Sequence, residues 1–114
     1  MGREVTARLT SEVWVAAYLT RCRLADIPAF VVARGDHTAG AVLIKLNRLD
    51  GTAVSFQRSF DLMSGERRWV VLVEGEDAEV EASIGRQREM DPDIWVIEVE
   101  DRQGRHLLDE PGLD

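Results

Sequence analysis

The sequence predicts an α+β fold: a mixed, mainly antiparallel sheet of five to six strands with two helices packed on one face. Three observations predict it. Two stretches run helical without punctuation, several strand-like runs are separated by turn signals, and one helix lies between two of those runs. The element order reads α-β-β-β-β-α-β. Two strands flanking a helix imply a crossover connection, so a parallel pair is expected beside the hairpins in a two-layer sandwich.

The first helix is capped by Thr10 or Ser11, with Glu12 in the first turn where the helix dipole favours an acid. Its body, Val13–Ala25, is apolar nearly all round, which predicts contact with more than one surface. Asp26-Ile-Pro28 ends it. Ala29–Arg34 reads as a β-branched strand, and Gly35–Gly40 as a loop or wide hairpin. Ala41–Leu49 is the second strand of an expected meander. Asp50-Gly51 is a hairpin signal, and Thr52–Arg58 the third strand. Ser59–Glu66 is the longest irregular stretch, carrying Phe60, Leu62 and Met63; apolar loop residues pack on a core edge or contact a partner. Arg67–Val73, apolar on both faces, reads as a central fourth strand. Glu76–Glu89 is an acidic-start helix with a thin apolar stripe, weakened by Gly85. Asp91-Pro92-Asp93 stops it, and Ile94–Glu100 is the fifth strand. Asp101–Gly104 reads as a turn that returns His106–Leu108 as a short edge strand.

The pleat sharpens this. Trp95, Ile97 and Val99 share one face of the fifth strand, and Ile94, Val96, Glu98 and Glu100 the other. The second face is also partly aliphatic, here and at Leu43, whereas a solvent-facing sheet alternates more cleanly. Either curvature wraps those residues inward or a second subunit covers them. Trp14, Tyr18, Leu43, Ile94 and Val96 are therefore candidate interface residues, with a homodimer as one expected assembly.

The 114 residues make one domain, 1–114, with 1–8 and 109–114 as flexible ends. At 45% apolar and 31% charged the composition is globular. A net charge of −7 argues against nucleic-acid binding. The charge set contains thirteen arginines and one lysine, Lys45; coding bias explains the skew, or guanidinium forks for carboxylate or phosphate do. One cysteine, Cys22, makes neither an intramolecular disulfide nor a cysteine metal cluster. The start carries charges and no apolar core of a leader, and no apolar run reaches the roughly 20 residues of a membrane span. A cytoplasmic protein without membrane contact is expected.

Catalytic constellations are missing from the sequence. Cys22 sits mid-helix and reads as an inert buried thiol. His37 and His106 lie in or beside turns without near partners. No nucleophile elbow, Walker loop or dinucleotide glycine motif occurs. The element order resembles the core of restriction-like nucleases, which place an acid two residues before a lysine; here Leu43-Ile44-Lys45 has leucine in that place, so the nuclease reading is rejected. Glu98 and Glu100, on one strand face, are a candidate pair for a hard cation, but a solvated face balanced by arginines is the favoured reading, and no metal is expected. Arg48, Arg86 and Arg88 with Asp91 and Asp93 are the candidate anion or ligand set. Helix-end and turn chemistry accounts for each of them locally. No cofactor is implied.

Leu9-Thr-Ser-Glu-Val-Trp-Val, Lys45-Leu-Asn-Arg-Leu-Asp-Gly and Asp91-Pro-Asp-Ile-Trp-Val-Ile-Glu-Val-Glu-Asp-Arg together resemble a family of small alphaproteobacterial proteins that is a domain of unknown function. The resemblance spans nearly the whole chain and is weakest over Ser59–Glu66. It implies a bacterial stand-alone domain and carries no catalytic residue. The expectation is a non-enzymatic binding or regulatory module working through a protein partner or self-association. The alternative is a small-molecule or anion-binding protein, or a weak enzyme, with an Arg/Asp-lined pocket.

Overall fold

The computed structural model describes residues 9–114; the expected flexible end 1–8 lies outside them. Helix α1 (Ser11–Leu24) leads into β1 (Ala29–Ala33), β2 (Val42–Asn47), β3 (Thr52–Phe60) and β4 (Arg67–Glu76). Helix α2 (Asp77–Met90) and β5 (Trp95–Glu100) complete the order α-β-β-β-β-α-β. The sheet has five strands in the order β1-β5-β2-β3-β4. β2 and β5 run parallel, as the crossover requires, and the other three neighbouring pairs are antiparallel.

Helix α1 starts where its cap predicts, because the Val13 amide donates to the Thr10 hydroxyl. It buries one stripe, Trp14, Val15, Tyr18 and Cys22. The belt expected to touch several surfaces instead leaves Val13 and Leu24 exposed. That stripe packs on Val42, Ile44 and Leu46 of β2 and Trp95, Ile97 and Val99 of β5. The pleat sends the alternate residues to the opposite face. There Leu43, Ala53 and Val96 meet Val80 and Ile84 of α2.

The two helices thus lie on opposite faces, which corrects the expected one-sided arrangement. The cause is the parity of the strands: β2 and β5 carry aliphatics on both faces, and each set needs a cover. Helix α2 answers the question posed by the second face, in place of curvature or a second subunit.

Three further expectations change. β1 does not pair with β2, since β5 inserts between them, so of the two readings of Gly35–Gly40 it is the loop and not the hairpin that holds. β4 is an edge strand, not a central one; its two apolar rows face α2 on one side and the α1 layer on the other. His106–Leu108 adds no sixth strand.

The tail read as flexible, residues 109–114, is docked in the α1 layer. Leu108 and Leu113 are buried there, the Tyr18 hydroxyl donates to the His106 carbonyl at 2.8 Å, and Trp69 Nε1 donates to the Leu113 carbonyl at 2.7 Å. The β2–β3 turn has positive φ at Leu49 (62°) and Gly51 (91°) rather than at Asp50. Gly35 backs directly onto the Asp93 carbonyl and the Trp95 ring, leaving no space for a Cβ.

Candidate functional site

Lys45 is the most buried charged residue among the described residues. Its side chain is 4% exposed on the α2 face of β2, facing Glu98 of the parallel neighbour β5. Its ammonium lies 2.6 Å from Glu81 Oε2, 2.7 Å from Asp77 Oδ1 and 3.6 Å from Glu98 Oε1. The Asp77 contact is ionic and off the hydrogen-bond axis, since Oδ1 accepts no hydrogen bond. Burial by itself lowers the Lys45 pKa, but the contacts with Asp77 and Glu81 and the charge of Glu98 outweigh it and hold the ammonium above its ordinary range. A lysine so fixed is a clasp between sheet and helix, with no proton to give at neutral pH.

That clasp also accounts for Glu98, the first of the candidate cation ligands. Glu98 accepts from Asn47 Nδ2 at 3.3 Å and neighbours Lys45, so a cation already occupies its field. Glu100 is partly buried at the strand end. Among the described residues no three metal-binding side chains gather.

The predicted anion set does not assemble. Arg48 pairs with Glu74 at 2.6 Å on the shoulder of the β2–β3 turn, beside the start of α2, where the Asp77 amide donates to the Gly51 carbonyl. Asp91 and Asp93 lie beyond the other end of that 14-residue helix, about 20 Å away by helix rise. Arg86 and Arg88 are exposed on its surface. The Asp93 amide donates to Asp91 Oδ1 and the Asp93 carbonyl accepts from the Asp36 amide, which is the chemistry of a helix stop. The predicted interface residues Trp14, Tyr18, Leu43, Ile94 and Val96 are all buried within one chain. They are core, because each face of the sheet has its own helix.

Two other features replace them. The first is the far end of the β3–β4 hairpin. β3 runs to Phe60, further than its sequence suggests, and the turn beyond it is tied by Asp61. Asp61 Oδ1 accepts from the Met63 and Ser64 amides, and its carbonyl accepts from Gly65. These hydrogen bonds hold the Asp61 carboxyl below the usual carboxylate range. The turn presents Leu62 and Met63 to solvent, 89% and 95% exposed. Sequence reasoning noticed the apolar loop but could not tell a core-edge loop from a projecting one.

The second feature is a cleft of about 590 Å³ at the same end of the sheet. Continuing the β2–β3 register places Val42, the first residue of β2, opposite Arg58, so the hairpin projects past β2 and becomes one wall. That wall contributes Arg58 and Arg67; the start of α1 and residues 38–41 form another, and Gln87 and Asp91 close the α2 side. Asp91 is the one member of the predicted ligand set to be found here. Arg58 is held 4.9 Å from the ring centres of both Trp14 and Trp69. No spacing in the sequence joins Arg58 and Arg67, which meet only because β3 and β4 pair.

On the other side of the hairpin a second cleft, about 700 Å³, lies between β4 and the docked tail and includes Phe56, Trp69 and His106. Burial lowers the His106 pKa against the opposing charge of Asp109. Its Nδ1 accepts from the Leu108 amide at 3.0 Å. Cys22 is fully buried and its thiol pKa is raised by that burial. No described helix is long and apolar enough to cross a membrane.

Fold and clefts together define a small α+β domain of one mixed sheet covered on both faces, with a projecting apolar hairpin. Residues 9–109 match the family described as a protein of unknown function, DUF1491. The chain belongs to that family. A crystal structure of a DUF1491 protein from Caulobacter crescentus is 42% identical, with a TM-score of 0.78 over 90% of this chain and 95% of that one. An NMR structure of a DUF1491 protein from the same organism is 43% identical, also at 0.78, covering 90% and 94%. The solution structure of protein Atu0922 from A. tumefaciens is 30% identical with a TM-score of 0.70, covering 82% and 86%. No curated protein matches the chain.

Proposed function

We propose that this protein is a non-enzymatic binding module that engages a protein partner through the projecting end of the β3–β4 hairpin. One observation carries the reading: Leu62 and Met63 are almost fully exposed on a turn whose backbone is fixed by Asp61. Single exposed apolar residues are ordinary. Two adjacent ones on a tied, projecting turn offer contact area at small entropic cost, the quality that gives binding hot spots their strength. The buried, inert Cys22 and the ion-paired, protonated Lys45 leave neither as a nucleophile.

The test is affinity capture from the source organism with the wild-type protein and a Leu62→Ser/Met63→Ser variant, alongside light scattering of both. A partner, or a second copy, held by the wild type and lost by the variant supports the reading. Identical capture and identical mass for the two proteins overturn it.

A further inference from the structure

The cleft beside the hairpin has its own chemistry, independent of the apolar tip. Its floor includes Leu43 and Ile94, both buried, and its rim is polar. Arg67, Gln57 and Gln87 are each partly buried in it. None of the three side chains makes an ion pair or a side-chain hydrogen bond among the described residues. Partly buried polar groups with unused donors that converge on one cavity are the ordinary signature of a ligand site. Arg58, held over the two tryptophan rings, lines the same cleft. Among the described residues the lining has one carboxylate, Asp91.

The geometry points to this cleft as a binding site for a small organic carboxylate. Arg67 supplies the forked, always-charged donor that matches a carboxylate in two parallel hydrogen bonds. Gln57 and Gln87 offer amides to a polar group at the ligand's other end, while Leu43 and Ile94 pack its methylenes. A volume of about 590 Å³ falls within the roughly 300–1,000 Å³ of small-molecule sites. Asp91 sits at the C-terminal end of α2, where the helix dipole adds to its negative field. It opposes a carboxylate, which makes its charge a sensitive control.

Amide chemical shifts of the intact protein, followed during titration with sodium glutarate, test the proposal. A blocked triglutamyl peptide tests the same carboxylate chemistry borne by a peptide, and inorganic phosphate serves as the competing anion. Saturable shifts at the cleft residues with glutarate or the peptide support the site, and the tighter of the two names the source. Arg67→Gln should then weaken binding at least about tenfold, the loss of one charge-assisted pair. Asp91→Asn should tighten it, keeping the oxygen that accepts from Asp93. These opposite signs do not arise from general destabilisation, so the Asp91 variant stands even if the Arg67 variant folds poorly. No saturable shift with either carboxylate overturns the proposal, as does phosphate binding equally well or an unchanged affinity in Arg67→Gln. The Leu62→Ser/Met63→Ser variant keeps its carboxylate affinity, which separates this result from the hairpin reading.

Discussion

Lys45 occupies a position on β2 that its neighbours Leu43, Ile44 and Leu46 would suggest for an aliphatic residue, since all of these are buried. The lysine is tolerated because three carboxylates come to it from two elements, Asp77 and Glu81 from α2 and Glu98 from β5. Removing the cation strands those carboxylates around an apolar site. Lys45→Met should therefore destabilise the fold by about 3 kcal/mol, at the lower end of the range for breaking a buried pair because Asp77 and Glu81 are partly solvated. Urea denaturation of the two proteins measures it. A Lys45→Met/Glu98→Gln double variant should recover part of the loss. The sequence displayed Lys45 as the sole lysine and Glu98 as an unexplained acid, yet nothing linked them: the pair is made by the parallel register of β2 with β5, which no local pattern encodes.

At the scale of elements, the tail is the part whose behaviour departs most from its composition. Asp109–Asp114 contains proline, glycine and three acids, the make-up of a frayed end, but a single apolar residue anchors it. Leu113 is 1% exposed and its carbonyl receives the Trp69 indole. Arg21 adds a hydrogen bond to the Pro111 carbonyl at 3.0 Å. Leu113→Ala should cost about 2–4 kcal/mol, as for other buried leucines, and should release the tail to proteolysis; thermal unfolding and limited digestion report the two effects. A tail that stays protected in this variant would show that Leu113 is not its anchor. The order of the seven described helices and strands was legible, because helix caps, the Asp50-Gly51 turn and the Asp91-Pro92-Asp93 stop are local signals. Layering was not. The double-faced aliphatic rows of β2 and β5 said that two covers were needed, while the thin stripe of α2, which buries Val80, Ser83 and Ile84, gave too weak a sign that it was one of them. Both edge strands carry a register shift, at Val31/Ala33 in β1 and opposite Ser55/Phe56 in β4. Such irregularities discourage edge-to-edge pairing.

For the molecule as a whole, the response to acid should pass through His106. Its folded-state pKa lies below the unfolded value of 6.5, so the folded protein binds the proton less readily than the unfolded chain. The stabilisation is complete above pH 6.5 and is lost as the pH falls through the folded value. The hydrogen bond accepted by Nδ1 from the Leu108 amide gives a geometric reason, since a proton there would face another donor. Unfolding midpoints measured from neutral to mildly acid pH should fall for the wild type and fall less for His106→Asn, whose side-chain oxygen is able to accept the same amide. Equal slopes in the two proteins would remove His106 from the account. The candidate site was legible only in fragments: Asp91 lines the cleft, but Arg58 and Arg67 are joined by strand pairing, and the predicted Arg48, Arg86 and Arg88 are not in it.

The burial of Lys45 has a practical consequence for anyone handling the protein. It is the one side-chain amine in the sequence, and it is sealed between α2 and the sheet. Amine-selective acylating or alkylating reagents should leave it untouched in the native state and mark it once α2 lifts away. The fold thus carries its own side-chain reporter of opening, readable as one mass increment beyond that of the α-amino group, with no engineered label.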